Sequence, residues 1–512
     1  MKGALVWMLL GLLARVVLAG SLELGNDEAY YALYAAHLDW SYFDHPGMVG
    51  WLTKPFAGGS DWGMRMVPLI CGTLNGFLLF ALGKAHGGIR VGTAAVALYT
   101  ASFYGSVIAG VFLMPDAPQS TFWLAALLIA TRNLTGQNRP TFLTWTGLGM
   151  SLAGALLSKY HSAFLVLGIG AYCAMHRREL LASFGFWWMN VLACCGLLPT
   201  IWWNHLNDWI SFAFHGNRVN PDQGVRLDFL AQELVGECAY QNPVVWFLTW
   251  AGVFFALKRA GERWRTQPIA LALWIALPLL ATFIGFSLFR HTLPHWTGPA
   301  YLTLLPVAAT MAVHWGRLGR RLLFVAAGMF VAVMTMGLAQ IQTGCFTPNA
   351  DLADAPNDVT LDLYGWSQAG DLWSQFVASE GLDAEQAVIC SPGWFPSAHL
   401  QRYLASRTGS RVWALGDVQA VHHFAWIQAR AGFPSVDSRF LLVTDSRNLA
   451  RAEAWRAKHA PMTTWRSLGR ITRRGKAVKE LWLTEIPRFP PPSYHPERCD
   501  AKNQHHAWAR PH

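Results

Sequence analysis

The chain has 512 residues, of which 53% are hydrophobic and only 14% are charged. Because about a quarter of the residues of a typical soluble domain are charged, this chain has too little polar surface to be wholly soluble. Its net charge of +10 would suit a nucleic-acid-binding protein, but the basic residues stand in short clusters between apolar runs, as they do in membrane proteins. No two of the eight cysteines have Cys-x-x-Cys spacing, which argues against a zinc site of the common kind.

Apolar stretches recur over the first two thirds of the chain, at 4–20, 64–82, 91–114, 117–131, 141–157, 162–175, 184–203, 242–257, 267–289, 296–313 and 322–341. Most approach the roughly 20 residues that a helix needs to cross the hydrocarbon core of a membrane. The first stretch is followed by an acidic segment without a small-residue cleavage site, so we interpret it as a span and not as a signal peptide. The sequence therefore predicts an α-helical polytopic membrane protein with about 11 transmembrane helices.

The distribution of basic residues predicts the orientation of these spans. If the N-terminus is cytoplasmic, the inner loops are 83–90, 132–140, 176–183, 258–266 and 314–321, and together they hold thirteen Lys and Arg residues. The outer loops are about twice as long in total and hold only five. Cytoplasmic loops of membrane proteins carry such an excess of Lys and Arg, so we expect the N-terminus inside and, after an odd number of spans, the C-terminal part outside.

The character of the chain changes after about residue 342, where Asp, Ser, Pro and Arg become common. The runs at 387–390 and 440–443 predict buried strands, the segments 396–406 and 447–458 predict helices, and 463–471 with 477–486 predict a hairpin. We therefore expect a transmembrane domain over 1–341, an extracytoplasmic α/β domain over 342–490 and a tail over 491–512. The α/β domain is expected to shape access for the acceptor of the reaction described below.

The first outer loop carries the strongest chemical signal. It reads Glu-Leu-Gly-Asn-Asp-Glu-Ala-Tyr-Tyr at 23–31 and Tyr-Phe-Asp-His-Pro-Gly-Met at 42–48. Carboxylates directly after a span lie at the depth where a sugar phosphate on a lipid carrier presents its reactive carbon. Transfer of that sugar needs a base for the acceptor proton, and Asp27 is our candidate. The alternative is that Asp27 and Glu28 only cap a juxtamembrane helix.

Transfer also needs donor or cationic groups that hold the phosphate leaving group, and the outer side offers several: His45, Lys54, Arg65, Lys159 and Arg290. Lys159 would alternatively reach the membrane interface as a snorkelling side chain.

Further candidates lie at the outer ends of other spans. Asp116 begins a short span, where an acid is costly and therefore favours a functional role over simple helix capping. His291 and His295 flank Pro294 in a tight loop, and they would contact phosphate and sugar or anchor the interface. Asp44 with His291 or His295 would also offer ligands to a divalent metal, and this alternative stays open.

The loop resembles the first loop of the family 39 glycosyltransferases, which include the bacterial aminoarabinose transferases and the protein O-mannosyltransferases. The resemblance rests on the Asp-Glu pair followed by Tyr and on Tyr-Phe-Asp-His-Pro about fifteen residues later, with Met-Pro-Asp at 114–116, Ser-Lys-Tyr at 158–160 and Pro-His-Trp at 294–296. It covers about residues 1–345. In the aminoarabinose branch the second stretch typically reads Tyr-Phe-Glu-Lys-Pro-Pro, so Asp44 and His45 depart from it.

The resemblance implies a GT-C fold, an inverting transfer and a polyprenyl-phosphate sugar donor. Asp27 matches the acid proposed as catalytic base, Asp44 matches a second acid that helps to hold a metal in some members, and His45 matches a basic residue near the donor phosphate. The expected catalytic residues are thus Asp27 and Asp44. The expected substrate-binding residues are Glu28, Tyr30, His45, Lys54, Arg65, Asp116, Lys159, Tyr160, Arg290, His291 and His295.

The predicted function is therefore transfer of a sugar to lipid A, a glycan or another cell-envelope acceptor, by an enzyme of the bacterial inner membrane with its C-terminal domain in the periplasm. The alternatives are a transporter or flippase of lipid-linked sugars and a protein O-glycosyltransferase. A transporter usually has internal repeats and ionisable groups deep within its spans, whereas the acids here cluster in outer loops. A scaffold without catalysis would leave the acids of the first loop unexplained.

Overall fold

The structure, a computed structural model, describes residues 1–136, 139–219, 224–258, 267–347, 352, 357–383, 386–435 and 437–487. The predicted tail over 491–512 lies outside these residues. The α-helices are Lys2–Ser21, Asn26–Ala36, Met48–Thr53, Asp61–Met64, Met66–Gly87, Ile89–Ala101, Asp116–Asn133, Phe142–Ser158, Ala163–His176, Arg178–Leu181, Phe184–Cys195, Leu198–Leu206, Ile210–Val219, Leu227–Gln241, Pro243–Lys258, Pro268–Ser287, Gly298–His314, Arg317–Thr343, Trp366–Ser379, Trp394–His399, Ser406–Thr408, Val418–Val421, Phe424–Ala431 and Leu449–His459. Short 3-10 turns are Lys54–Phe56, Tyr160–Ser162, Pro294–Thr297 and Val359–Leu363, and π-helical turns are Tyr104–Ile108 and Leu400–Ala405.

Several helices have the length and composition of membrane spans. Among the described residues, five helical stretches are long and apolar enough to cross a membrane: Lys2–Ser21, Met66–Gly87, Phe184–Leu206, Pro268–Ser287 and Arg317–Thr343. The third of them contains the two consecutive helices Phe184–Cys195 and Leu198–Leu206. Three shorter apolar helices, Ile89–Ala101, Phe142–Ser158 and Pro243–Lys258, correspond to further predicted spans. The count of eleven stays a prediction, because the remaining stretches form helices that are shorter or less apolar.

The described chain divides into two compact units, each made of several segments. One unit comprises Met1–Gly20, His45–Trp202 and His215–Met334, and it holds most of the long apolar helices. The other comprises Ser21–Asp44, Trp203–Phe214 and the residues from Thr335 onward. The first outer loop up to Asp44 therefore belongs to the same unit as the C-terminal sheet. The domain boundary near residue 341 stays a prediction. Each compact unit combines segments from several parts of the chain and is not one continuous range.

The second unit contains a mixed five-stranded sheet of β1 (Ala387–Pro392), β2 (Arg411–Leu415), β3 (Arg439–Asp445), β4 (Arg466–Arg473) and β5 (Lys476–Ile486). The strand order is β2-β1-β3-β5-β4. β1 pairs in parallel with β2 and β3, whereas β5 pairs antiparallel with β3 and β4. β1 is buried along its whole length, which is typical of a strand covered on both faces and explains its continuous apolar sequence.

The predicted strands and hairpin are present at the expected positions. β1 and β3 contain the two apolar runs, and β4 and β5 form the antiparallel hairpin. The turn between them is Arg474-Gly475, and both residues have positive φ, at 51° and 78°. A two-residue hairpin turn of this kind matches the twist of the flanking strands. A local sequence signal was sufficient here because a turn and its two strands are close neighbours in the chain.

Candidate functional site

The candidate base lies at the start of a helix that directly follows the first apolar helix. Asp27 is the second residue of Asn26–Ala36 and its side chain is exposed. Negative charge in the first turn of a helix is stabilised by the helix dipole. The neighbouring Glu28 is buried, and its carboxylate accepts a hydrogen bond from the Gly25 backbone N–H at 2.9 Å. Capping therefore accounts for Glu28, whereas the exposed Asp27 carboxylate can face a substrate.

The second acid of the loop is paired with a histidine from the C-terminal part of the chain. Asp44 is buried, and its Oδ2 lies 3.2 Å from Nδ1 of His422. The backbone of His422 has φ 54° and ψ −135°, a conformation that is costly for any residue with a Cβ and that is concentrated at functional sites. Its ring stacks on Trp394, with ring centroids 5.6 Å apart. Asp44 is therefore held in one orientation by a partner with a strained backbone.

A cluster of aromatic side chains surrounds this pair. The Tyr30 hydroxyl accepts a hydrogen bond from the backbone N–H of His423 at 3.0 Å, and its ring packs edge-on against Tyr34. Tyr34 stacks on Tyr42 with centroids 3.6 Å apart. Burial raises the pKa of the Tyr30 hydroxyl well above its usual value, and the Asp44 carboxylate raises this pKa further. Tyr30 therefore remains a neutral phenol beside Asp44.

In the other unit, two predicted residues form a buried ion pair. Lys159 Nζ lies 2.7 Å from Oδ2 of Asp116, and both side chains are almost completely buried. The Tyr104 hydroxyl donates to Oδ1 of the same carboxylate at 3.1 Å. His295 also interacts electrostatically with Asp116. The sequence placed Asp116, Lys159 and His295 at the ends of three different spans, and the fold brings them together.

A second group in this unit is organised by a histidine that the sequence did not single out. The ring of His215 lies 5.0 Å from Tyr160 and 6.2 Å from His45, measured between ring centroids. Tyr160 and His45 were both predicted as substrate-binding residues, and both of their rings lie near the ring of His215.

The remaining predicted cations have different surroundings. Arg65 is fully buried and donates to the backbone oxygen of Ala19 at 3.0 Å, at the end of the first helix. Lys54 is exposed in the 3-10 turn Lys54–Phe56. His291 is exposed and packs edge-on against Phe229, and Arg290 beside it is half-buried. Arg65 thus has a structural contact in addition to its predicted role, whereas Lys54 and His291 are open to solvent.

His422 and His215 are the functional candidates that sequence reasoning missed. His422 follows a helix of four residues in a region that the sequence marks only by the dipeptide His422-His423. His215 stands alone in an amphipathic helix, where a single histidine has no distinguishing pattern. Both are recognised only by their neighbours in space.

The described residues offer only a partial set of metal ligands. Among them, no group of three or more His, Cys, Asp or Glu side chains could hold a metal ion. A catalytic zinc site normally has three protein ligands, whereas Asp44 and His422 supply two candidate atoms. The described residues therefore fall short of the ligand set that a catalytic zinc ion needs.

Comparison with known proteins places these features in context. The family model of the dolichyl-phosphate-mannose-protein mannosyltransferases matches residues 44–203. An undecaprenyl phosphate-α-4-amino-4-deoxy-L-arabinose arabinosyl transferase of Pseudomonas aeruginosa is 29% identical over 439 residues, which cover 78% of this chain and 76% of the relative. The lipid A galacturonosyltransferase RgtD of Rhizobium johnstonii is 23% identical over 56% of this chain and 59% of its own length.

The fold also matches a solved structure. ArnT from Cupriavidus metallidurans, crystallised with undecaprenyl phosphate, superposes with a TM-score of 0.63 over 94% of this chain and 97% of its own, at 15% identity. This chain is a glycosyltransferase with a GT-C fold. It resembles the aminoarabinose transferases in sequence along most of its length. The glycosyltransferase is also a multi-pass membrane protein, as its apolar helices and its relatives indicate.

Proposed function

We propose that this glycosyltransferase moves a sugar from undecaprenyl phosphate, or a similar polyprenyl phosphate, to lipid A or another acceptor of the cell envelope. One observation carries the proposal: an exposed carboxylate, Asp27, lies in the first turn of the helix that follows the first apolar helix, and the second acid of the same loop, Asp44, is bound by His422. The relatives named for undecaprenyl-phosphate-arabinose and lipid A transfer support the donor and the acceptor.

In the proposed reaction, an acceptor hydroxyl oxygen attacks the anomeric carbon of the donor sugar. Asp27 takes the hydroxyl proton as a new C–O bond forms. The bond between the anomeric carbon and the phosphate oxygen breaks, and polyprenyl phosphate leaves with the electron pair. Attack opposite to the leaving group inverts the anomeric configuration.

The negative charge that develops on the departing phosphate needs cationic partners. We assign this role to His45, with Lys159, Arg290 and His295 as further candidates. The Lys159 ammonium is paired with Asp116, so it would have to exchange this carboxylate for the phosphate. His45 is a weaker cation than the lysine typical of the aminoarabinose branch, because its charge depends on pH.

Protein O-glycosylation is the second candidate function. The family model that matches residues 44–203 is described for protein mannosyltransferases, so a hydroxyl of a Ser or Thr side chain is the alternative acceptor. The donor chemistry would be the same, and only the product distinguishes the two.

A comparison of envelope products tests the proposal. Cells that contain the protein should carry a glycolipid whose mass exceeds that of the deletion strain by one sugar residue, and purified protein should form it from a polyprenyl-phosphate sugar. An unchanged glycolipid profile together with a newly glycosylated envelope protein would establish the alternative acceptor. If the purified protein moved the intact polyprenyl-phosphate sugar across the membrane of a vesicle and transferred no sugar to an acceptor, this result would contradict the enzymatic proposal.

The charge distribution of the loops gives a topology prediction. We propose that the loop containing Arg177 is cytoplasmic and that the C-terminal sheet is on the opposite side, in the periplasm. A membrane-impermeant maleimide should therefore label the exposed native Cys345 in intact spheroplasts. In each labelled protein all other cysteines are replaced by serine. An Ala182→Cys variant, at an exposed position, should react only after the membrane has been permeabilised. Labelling of Ala182→Cys from outside would reverse the orientation.

A further inference from the structure

Three residues before the proposed base, both backbone polar groups of Leu24 are bound by side chains from the C-terminal part of the chain. The Leu24 N–H donates to the hydroxyl oxygen of Tyr403 at 2.7 Å, and the Leu24 carbonyl oxygen lies 3.0 Å from Nε2 of His399. All three residues are buried. The three residues belong to one compact unit, so these contacts are internal to it.

The protonation state of His399 follows from its surroundings. A carbonyl oxygen only accepts hydrogen bonds, so Nε2 carries the proton and donates. Burial lowers the pKa of His399 to about 3, which keeps the ring neutral at physiological pH. The ring stacks on Trp366 with centroids 4.1 Å apart and an interplanar angle of 25°. Stacking on Trp366 therefore fixes the plane of the His399 ring, whose Nε2–H is the hydrogen-bond donor.

The side chains of Glu23 and Asn26, which lie close to Leu24 in the chain, also bind the C-terminal part of the chain. The Glu23 carboxylate accepts hydrogen bonds from the backbone N–H groups of Trp366 and Ser367, at 2.7 and 2.9 Å, at the start of the helix Trp366–Ser379. A carboxylate at a helix N-terminus satisfies free N–H groups and the helix dipole together. Asn26 Nδ2 donates to Oδ2 of Asp362 at 3.1 Å.

We propose that Tyr403 and His399 are positioning residues, which clamp the backbone at Leu24 and thereby orient Asp27 for proton transfer. The inference rests on the proposed role of Asp27. It gives the C-terminal part of the chain a role in catalysis beyond access of the acceptor, because His399 and Tyr403 place the base through Leu24. Small displacements of a catalytic group lower the rate of a reaction far more than they weaken substrate binding.

The substitution Tyr403→Phe removes one hydroxyl and keeps the ring, and it provides the test. In the full-length purified protein, turnover should fall by between roughly tenfold and a hundredfold, while KM for the donor stays within about twofold. The matched control is Tyr364→Phe, which removes a tyrosine hydroxyl that donates to the Thr472 backbone oxygen at 3.0 Å in the same unit. The control should retain the turnover of the unchanged protein.

A second variant separates positioning from stability. His399→Phe keeps an aromatic ring on Trp366 and removes the donor, so it should reproduce the selective loss of turnover. Equal turnover in Tyr403→Phe and Tyr364→Phe, with an inactive Asp27→Asn protein, would overturn the clamp and leave Asp27 as the base. A loss that disappears after correction for the folded fraction would also overturn it. An active Asp27→Asn protein would instead contradict the proposed function itself.

Discussion

Asp27→Asn is expected to lower the turnover of sugar transfer by roughly a hundredfold or more, the usual effect of losing a general base. The amide has nearly the shape of the carboxylate, so the helix Asn26–Ala36 should form unchanged, but an amide cannot accept the acceptor proton. The side chain is exposed, and therefore its replacement should leave stability almost unaffected. Steady-state kinetics with a purified polyprenyl-phosphate donor would measure the loss.

Binding of the donor should survive this substitution, because cations and not carboxylates hold the phosphate. Replacement of His45 or Arg290 should do the reverse and raise KM for the donor first. Asp371→Asn is the matched control, since Asp371 is an exposed acid in the same unit, paired with Arg407. Near-normal turnover of Asp27→Asn would move the assignment of the base to Asp44. An inactive but folded Asp371→Asn protein would show that the catalytic centre is elsewhere.

Asp116→Asn is expected to have the largest effect on stability. The substitution keeps an acceptor for the Tyr104 hydroxyl but leaves the buried Lys159 ammonium without its carboxylate partner at 2.7 Å. Breaking a buried ion pair by removing one partner costs about 3–5 kcal/mol, because the remaining charge is uncompensated in a medium of low dielectric constant. Thermal unfolding in detergent should show a large fall in the midpoint temperature.

The double variant Asp116→Asn/Lys159→Met should recover part of this loss, because it buries no unpaired charge. The control is Arg466→Met, which breaks a surface ion pair with Glu380 in which Arg466 is 61% exposed, and such pairs contribute little. If Asp116→Asn lowered the midpoint no more than Arg466→Met, the ion pair would not be a structural element. A double variant that is stable but binds the donor weakly would support the assignment of Lys159 to the phosphate.

The sequence by itself determined the features that depend on composition and short-range pattern. The shortage of charge indicated a membrane protein, and the uneven distribution of Lys and Arg predicted an orientation, which stays a prediction. The Asp-Glu-Ala-Tyr segment directly after an apolar stretch predicted Asp27 as the base. The dipeptide Arg474-Gly475 between two predicted strands predicted the hairpin. The first two signals are sums over long stretches of chain and need no knowledge of the fold. The last two lie within a few tens of residues, where geometry follows from the local period of a helix or strand.

Only the tertiary structure decided which side chains surround these candidates. Asp44 meets His422 across 378 residues, and Leu24 meets Tyr403 across 379. No local pattern marks such partners, because a hydrogen bond between distant segments depends on how the whole backbone folds. The same applies to Glu28, which is adjacent to Asp27 in the sequence. Its carboxylate accepts a hydrogen bond from the Gly25 N–H, and no local pattern distinguished it from Asp27. Adjacent residues on a helix point about 100° apart, so burial of one face separated a capping acid from an exposed one.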